Sequence, residues 1–427
     1  MSLKTALFAI LVCGVLLTAG ATYTFLRPQA RTGKAPAGPA EPENDLPSPA
    51  NLQELVNASN RFALELYAGL SNGGENIFFS PYSIFTALGM TYEGARNRTA
   101  EEIRAVLHLP ADNQTRWSLF KALIERLSAG GAGCNLSTAN AMWIQRDFNI
   151  LSDYVNTVQT YYRASAFSVD YARAAEEARQ RINSWVEDQT GGRIKDLIPQ
   201  GILNPLTRLV LTNAIYFRGD WLKRFNESLT EEKDFHPRPG ESVRVDMMAR
   251  KDEKSVFNYT SVDGIQILEM PYAGGKLSML VLLPGPGEME GLEAKLSPRK
   301  LEEWRSKLRE RRVDVFFPKF RLERRYFLND NLSRMGMPTA FSMDSDFSGI
   351  DGAQDLYIAA VIHQAFVSVD ERGTEAAGAT AVVIEYRNAP VEPAVPVFNA
   401  DHPFVFIIQD RETGSILFMG KVVDPTK

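Results

Sequence analysis

Four histidines, His108, His236, His363 and His402, and two cysteines, Cys13 and Cys134, are the residues of this chain best suited to metal binding or nucleophilic chemistry. Their spacing supports neither. No histidine has a second histidine or a cysteine at helical spacing, and two thiols can build neither a four-thiolate zinc site nor a disulfide scaffold. The chain has no G-x-S-x-G elbow, no H-E-x-x-H, no C-x-x-C and no phosphate-binding loop. Gly285-Pro286-Gly287 follows an apolar run, but its proline and spacing make it a turn rather than a nucleotide loop. Each histidine reads as a structural or surface residue. The sequence predicts no catalytic residue, no metal and no cofactor, and hence not an enzyme.

Residues 366–404 point to a different chemistry. Phe366-Val367-Ser368-Val369-Asp370 ends a strand, and Glu371-Arg372-Gly373-Thr374-Glu375-Ala376-Ala377-Gly378-Ala379-Thr380 follows it without a proline. At period two, one face carries Thr374, Ala376, Gly378, Thr380, Val382 and Ile384, which is uncharged, small at first and then apolar. The other face carries Glu375 and Glu385. Such a face suits a central strand in a tight sheet, whereas the tiny residues and the flanking Pro390, Pro393 and Pro396 suit an exposed loop. A loop able to become a strand stores a conformational change. A plain linker or an ordinary strand would show the same composition.

The elements that must position this stretch are legible in outline. Ser48 before Pro49 reads as a capped helix start, with Leu52, Leu55, Val56, Ala63, Leu66 and Leu70 at helical spacing. Ser297-Pro298 starts another helix, with Leu301, Trp304 and Leu308 on one face. Strands are expected at Leu209–Phe217, Leu277–Leu283, Val313–Phe317, Leu356–Asp370 and Phe404–Gln409. Arg411-Glu412-Thr413-Gly414 reads as a hairpin turn into Ser415–Val423. Helices early and strands late predict an α+β fold.

The chain has 427 residues, 44% hydrophobic and 23% charged, with a net charge of −5. This is a folded globular composition, and its overall field does not attract nucleic acid. Length alone predicts two to three domains. Ala6 to Leu26 carries no charge. It reads as a secretory signal with a cleavage site at Ala19-Gly20-Ala21, or as an uncleaved membrane anchor over residues 1–26. Residues 27–47 form a Pro/Ala-rich linker, and 48–427 one mixed domain. The expected location is secreted or extracytoplasmic. With Cys13 removed, Cys134 has no disulfide partner.

The span 48–427 resembles the serpin family in five motifs. Asn76-Ile77-Phe78-Phe79-Ser80-Pro81-Tyr82-Ser83-Ile84 is similar to its early core motif. Ile182-Asn183-Ser184-Trp185-Val186-Glu187 and Leu211-Thr212-Asn213-Ala214-Ile215-Tyr216-Phe217-Arg218-Gly219-Asp220-Trp221 match two more. The run from Glu371 to Thr380 resembles its reactive-loop hinge, and Phe398-Asn399-Ala400-Asp401-His402-Pro403-Phe404-Val405-Phe406-Ile407-Ile408 its signature. The resemblance implies a serpin fold of one domain, with three β-sheets, eight to nine helices and an exposed reactive-centre loop. That replaces the estimate from length. It further implies a suicide-substrate inhibitor. A protease cleaves the loop as an acyl-enzyme, and the cut loop inserts into the main sheet and traps the covalent complex.

Carried over residue by residue, the resemblance places the hinge at Glu371, Gly373, Thr374, Glu375, Ala376, Ala377, Gly378, Ala379 and Thr380. The scissile residue fourteen positions after Gly373 is Arg387, and the reactive bond is Arg387–Asn388. Arg387 is also the sole basic residue between Gly373 and Phe398, and arginine suits the acidic specificity pocket of trypsin-like serine proteases. Cleavage at Tyr386 by a chymotrypsin-like enzyme, an arginine-accepting cysteine protease, and a non-inhibitory carrier or chaperone are the alternatives. Ser80, Ser83, Asn213 and His363 resemble the group beneath the opening sheet, and Trp221 the aromatic residue at its top. The eleven Lys/Arg of residues 299–325 offer a second partner surface, for a sulfated polysaccharide, or simply a solvated helix face. Sequons such as Asn57-Ala58-Ser59 matter only in a host that glycosylates exported proteins. The expected state is a monomer.

Overall fold

The computed structural model describes residues 49–71, 74–128, 134–374 and 395–427, all within one compact unit, Leu46–Lys427. Glu375 to Thr380, Arg387, Asn388, the linker and the N-terminal segment lie outside the described residues.

The chain begins with α1 (Pro49–Leu70), β1 (Ile77–Phe79), α2 (Pro81–Gly94), α3 (Asn97–Leu107) and α4 (Asn113–Ser128). Then come β2 (Cys134–Gln145), α5 (Ser152–Tyr162), β3 (Ala164–Val169), α6 (Tyr171–Gln189) and β4 (Leu209–Asp220). The strands β5 (Glu231–Phe235), β6 (Val243–Arg250), β7 (Val256–Val262), β8 (Ile265–Pro271) and β9 (Leu277–Pro284) precede α7 (Met289–Lys295) and α8 (Pro298–Ser306). The last third holds β10 (Arg309–Arg312), β11 (Asp314–Pro318), β12 (Phe320–Phe327), α9 (Asn329–Met335), α10 (Ser348–Asp351), β13 (Ile362–Val369) and β14 (Gly373–Thr374). It closes with β15 (Val397–Asn399), β16 (Phe404–Asp410) and β17 (Ile416–Val422). The described residues thus hold ten α-helices, the last a single turn, where the resemblance implied eight to nine.

Three sheets organise these strands: β12-β13-β14-β4-β2-β3, the main sheet; β1-β17-β16-β9-β8-β7-β10; and β15-β11-β6-β5. Every residue of β9, β16 and β17 is buried, which is why they read as mostly apolar runs, interrupted by Ser278, Gln409, Asp410 and Lys421, rather than as alternating ones. The core runs from the inner faces of the two larger sheets to α1, whose Leu52, Leu55, Val56, Ala63 and Leu66 are buried at the predicted helical spacing. A smaller cluster lies where Ile182 and Val186 of α6 meet Ala141 and Trp143 of β2.

Most expected elements appear, with informative shifts at their ends. Leu356–Asp370 becomes a strand only from Ile362. Before it, the Ile358 amide donates to the Ala340 carbonyl and the Val361 amide to Asn329 Oδ1, so those groups are withheld from any ladder. Ser297 caps α8 as expected, but Leu308 falls beyond it, because the Lys307 and Leu308 amides bond three residues back and close the helix. Arg309–Arg312, which reads as a charged helix flank, is an edge strand on β7. Charge is what such an edge tolerates. Gly414 takes a left-handed φ of 72° in the Arg411–Gly414 turn.

Candidate functional site

The main sheet is joined at its centre by two residues. β14 pairs with β13 through Val369↔Thr374 and with β4 through Gly373↔Asp220 and Thr374↔Gly219, antiparallel to both. Among the described residues β4 and β13 share no ladder of their own. At Thr374 they therefore stand two strand spacings apart, about 9.5 Å. β14 is a wedge one strand wide, from which the chain continues toward Glu375.

Local chemistry holds the wedge in place. Asp370 Oδ1 accepts from the Arg372 and Gly373 amides at 2.9 and 3.2 Å, closing the turn out of β13. The Trp221 amide donates to the Arg372 carbonyl at 2.7 Å, and its indole N–H to the Asp370 carbonyl at 3.0 Å. Trp221 stacks on Tyr272 with 4.6 Å between ring centroids, and the Tyr272 hydroxyl meets Thr374 Oγ1 at 2.7 Å. A Cβ on Gly373 would lie 2.1 Å from the Gly219 carbonyl oxygen, so the first wedge position has no room for a side chain. Glu371 is buried. It accepts from Thr230 Oγ1 at 2.7 Å and faces Lys319 Nζ at 3.4 Å. Burial would raise its pKa, but these partners hold the carboxyl below the usual range.

A second cluster lies lower in the sheet. His363 sits on β13 six residues before Val369, about 20 Å along the strand. Its Nε2 accepts the Ser80 amide at 2.9 Å. Ser80 caps α2, accepting from the Ser83 amide, and its hydroxyl donates to the Leu417 carbonyl at 2.7 Å. The Ser83 hydroxyl donates to Asn213 Oδ1 on β4, and Asn213 Nδ2 donates to Asn140 Oδ1 on β2. Asn140 in turn donates to the Tyr162 carbonyl at 2.7 Å. One polar chain thus runs beneath the sheet from β13 to α5. Burial pushes the His363 imidazole down to about 3, so it is a neutral acceptor.

The structure therefore brings Glu371, Gly373, Thr374 and Trp221 together at one end of the opening, and Ser80, Ser83, Asn213 and His363 together below it. Sequence reasoning missed Asn140, Tyr272, Thr230 and Lys319. Asn140 had a signal, a lone amide on the inward-facing period of β2; the others had none. The basic residues of 299–325 are spread over α8, β10, β12 and the connections at Lys307 and Lys319. Lys300 pairs with Asp263 and Glu303, and Lys307 with Glu303. Arg324 and Arg325 donate to the carbonyls of Asn76 and Asp196. Cys134 is a free thiol whose pKa burial raises to about 11. No group of metal-ligating side chains occurs among the described residues, and none of their helices is long and apolar enough to cross a membrane.

The family model for serpins, serine protease inhibitors, matches residues 57–425. The chain belongs to the serpin family. An uncharacterised serpin-like protein of Thermococcus kodakarensis is 47% identical over 373 residues, covering 87% of this chain and 86% of that one. Leukocyte elastase inhibitor A of Rattus norvegicus is 38% identical, over 88% of this serpin and all of the relative. Among solved structures, human thyroxine-binding globulin in complex with thyroxine superposes with a TM-score of 0.78 at 32% identity, covering 88% of this serpin and all of that chain. The serpin relatives thus include a protease inhibitor and a protein that binds a small molecule. Members of the family are mostly inhibitors rather than catalysts.

Proposed function

We propose that this serpin is a suicide-substrate inhibitor of trypsin-like serine proteases, with Arg387–Asn388 as the bond presented for attack. The observation that carries the proposal is the one-strand wedge between β4 and β13. If the cleaved loop inserted in the register of β14, Ala376 would stand opposite Val367 and Phe217, Gly378 opposite Ala365 and Ile215, and Thr380 opposite His363 and Asn213. The strand positions that would face the core are then Ala376, Gly378, Thr380, Val382 and Ile384. These are the residues of the uncharged face, with the smallest at the entrance, where β4 and β13 already fill the core with Phe217, Ile215 and Val367.

Insertion is favourable because it completes a ladder at about 0.5–1.5 kcal/mol net per hydrogen bond. It also buries Val382 and Ile384, worth roughly 1.5–3 kcal/mol each. The cleaved loop carries the acylated protease with it, and rapid insertion outruns deacylation. The charge-free segment Ala6–Leu26 supports an exported protein, and the proposed partner is a protease met outside the cytoplasm.

The test is to mix the protein with trypsin and separate the products on a denaturing gel. A boiling-resistant band at the summed mass, with a released peptide beginning at Asn388, is the expected result. Cleavage at Arg387 without a covalent band favours the second reading, a non-inhibitory carrier, to which the thyroxine-binding relative gives some weight. Cleavage elsewhere removes the trypsin-like assignment. Ala376→Arg puts a long cation on the core face at the entrance and is expected to turn inhibition into turnover, raising the moles of inhibitor consumed per protease trapped at least several-fold. An unchanged stoichiometry would sink the insertion register.

A further inference from the structure

His402 lies in the connection between β15 and β16 and is 8% exposed. Its ring meets an acceptor at each nitrogen. Nδ1 is 2.7 Å from Asp401 Oδ1, and Nε2 is 2.7 Å from the carbonyl of Pro284, the last residue of β9. A neutral imidazole has one N–H and one lone pair, so it can serve one of these oxygens and must turn its lone pair on the other. An imidazolium donates to both. Asn399 favours the carboxylate form of Asp401, donating from Nδ2 to Oδ2 at 2.7 Å. The proton shared by the pair therefore belongs on the ring, the more basic partner. Burial opposes the charge, but the hydrogen bonds to Asp401 and Pro284 and the field of Asp401 outweigh it and raise the pKa above the usual 6.5. Asp401 is the charged group that acts on the ring. β9 presents a backbone carbonyl, and His236, which follows β5, meets this connection through its backbone amide on the Asp401 carbonyl at 2.7 Å.

The strand beside this staple is weakly held. β15 is three residues long and lies at the edge of its sheet, next to β11. The Asp314 amide donates to the Pro396 carbonyl at 2.9 Å, and the Ala400 amide to the Phe316 carbonyl at 3.0 Å. So short an edge strand opens locally at small cost. It is also the place where the chain that leaves the main sheet at β14 rejoins the described fold. Two residues beyond Ala400, His402 ties the end of this strand to β9 in the seven-stranded sheet.

We propose that His402 is a pH-released latch: as an imidazolium it staples the end of β15 to β9, and loss of its proton as the pH rises loosens that strand. The folded state holds the proton more tightly than the unfolded chain does. The stabilisation is therefore full below pH 6.5 and is lost as the pH rises through the folded-state value. The latch stands on this geometry whether or not the protein inhibits a protease. Under the proposed function, it sets how firmly the far end of the loop is held before cleavage.

The experiment uses the full chain and two readouts. The first is the titration of its four histidines, labelled with nitrogen-15 and followed by magnetic resonance. The signal missing from His402→Gln belongs to His402 and is expected to titrate above 6.5. If that variant fails to fold, His402→Arg makes the same assignment. The second readout is hydrogen exchange in the peptide 395–401, compared at each pH between the unaltered protein and His402→Arg. The arginine keeps a permanent cation with donors for both oxygens, and comparison at equal pH cancels the intrinsic rate. The two proteins should exchange alike at about pH 6. By about pH 9 the unaltered protein should exchange at least about threefold faster, with a ceiling of about tenfold per pH unit. A His402 that titrates at or below 6.5, or exchange that stays parallel in the two proteins over the whole range, overturns the proposal.

Discussion

Gly373 shows how a single missing side chain sets the geometry of the hinge. Its hydrogen faces the Gly219 carbonyl where a Cβ would sit 2.1 Å away. Gly373→Ala is therefore expected to expel β14 from the sheet or shift β4, costing about 1–3 kcal/mol in urea unfolding. Unaltered stability would show that the strands part freely. The hinge glycine was recognisable in the sequence from its neighbours, but the reason for it was not, because Gly219 lies more than 150 residues earlier. His363 was equally visible as a residue and equally opaque as chemistry. It accepts the Ser80 amide, and protonation would abolish that bond. Its folded-state pKa, about 3, lies below the unfolded value of about 6.5. Protons therefore bind the unfolded chain first. Its stabilisation is complete above pH 6.5 and is lost as the pH falls toward 3, by at most about 1.4 kcal/mol per unit. Unfolding measured from pH 8 to 4 should show this slope, and His363→Asn should flatten it.

At the scale of elements, the helices behind the sheet are clamped by one buried pair that no sequence pattern announced. Glu93 at the end of α2 accepts from Arg116 Nε and Nη2 of α4, both at 2.9 Å. It also accepts from the Trp117 indole at 2.8 Å and the Tyr162 hydroxyl of α5 at 2.7 Å. Read alone, Arg116 is one more cation on an amphipathic helix. Only the tertiary fold, which brings three helices together, reveals it as a core residue. Arg116→Met leaves Glu93 buried without its cation and should cost about 3–5 kcal/mol. A thermal midpoint unmoved by the change would mean that water already reaches Glu93. Where sequence reasoning succeeded at this scale, the signal was local: α1 buries one face at helical spacing, and β9, β16 and β17 are apolar over most of their length. It failed for β10 and Leu356–Val361, whose states are decided by partners elsewhere in the chain.

The five motifs placed the chain in its family, and the described residues fall in one compact unit, Leu46–Lys427. Three sheets sharing one core leave no plane along which few contacts cross. The same cooperation makes the opening between β4 and β13 a property of the entire fold. Under the proposed mechanism, cutting at Arg387 lets a strand complete the main sheet, so the nicked protein should unfold at a clearly higher temperature than the intact one. Calorimetry before and after limited trypsin digestion measures this, and an equal or lower midpoint for the nicked form would argue against a stored conformational change.

The pairing of β1 with β17 bears on how the polypeptide is made. Ile77 lies opposite Lys421. Asn76 grips the last residues of the chain, donating to the carbonyls of Asp424 and Lys427 and accepting from the amides of Val423 and Asp424. A ribosome adding about 5–20 residues per second needs roughly 20–70 s to travel from one partner to the other. During that interval Phe78 lacks the rings of Phe406 and Phe418 on which it finally stacks, and the largest sheet lacks β16 and β17, two of its three wholly buried strands. β1 therefore gains its sheet partner only after β17 has been synthesised.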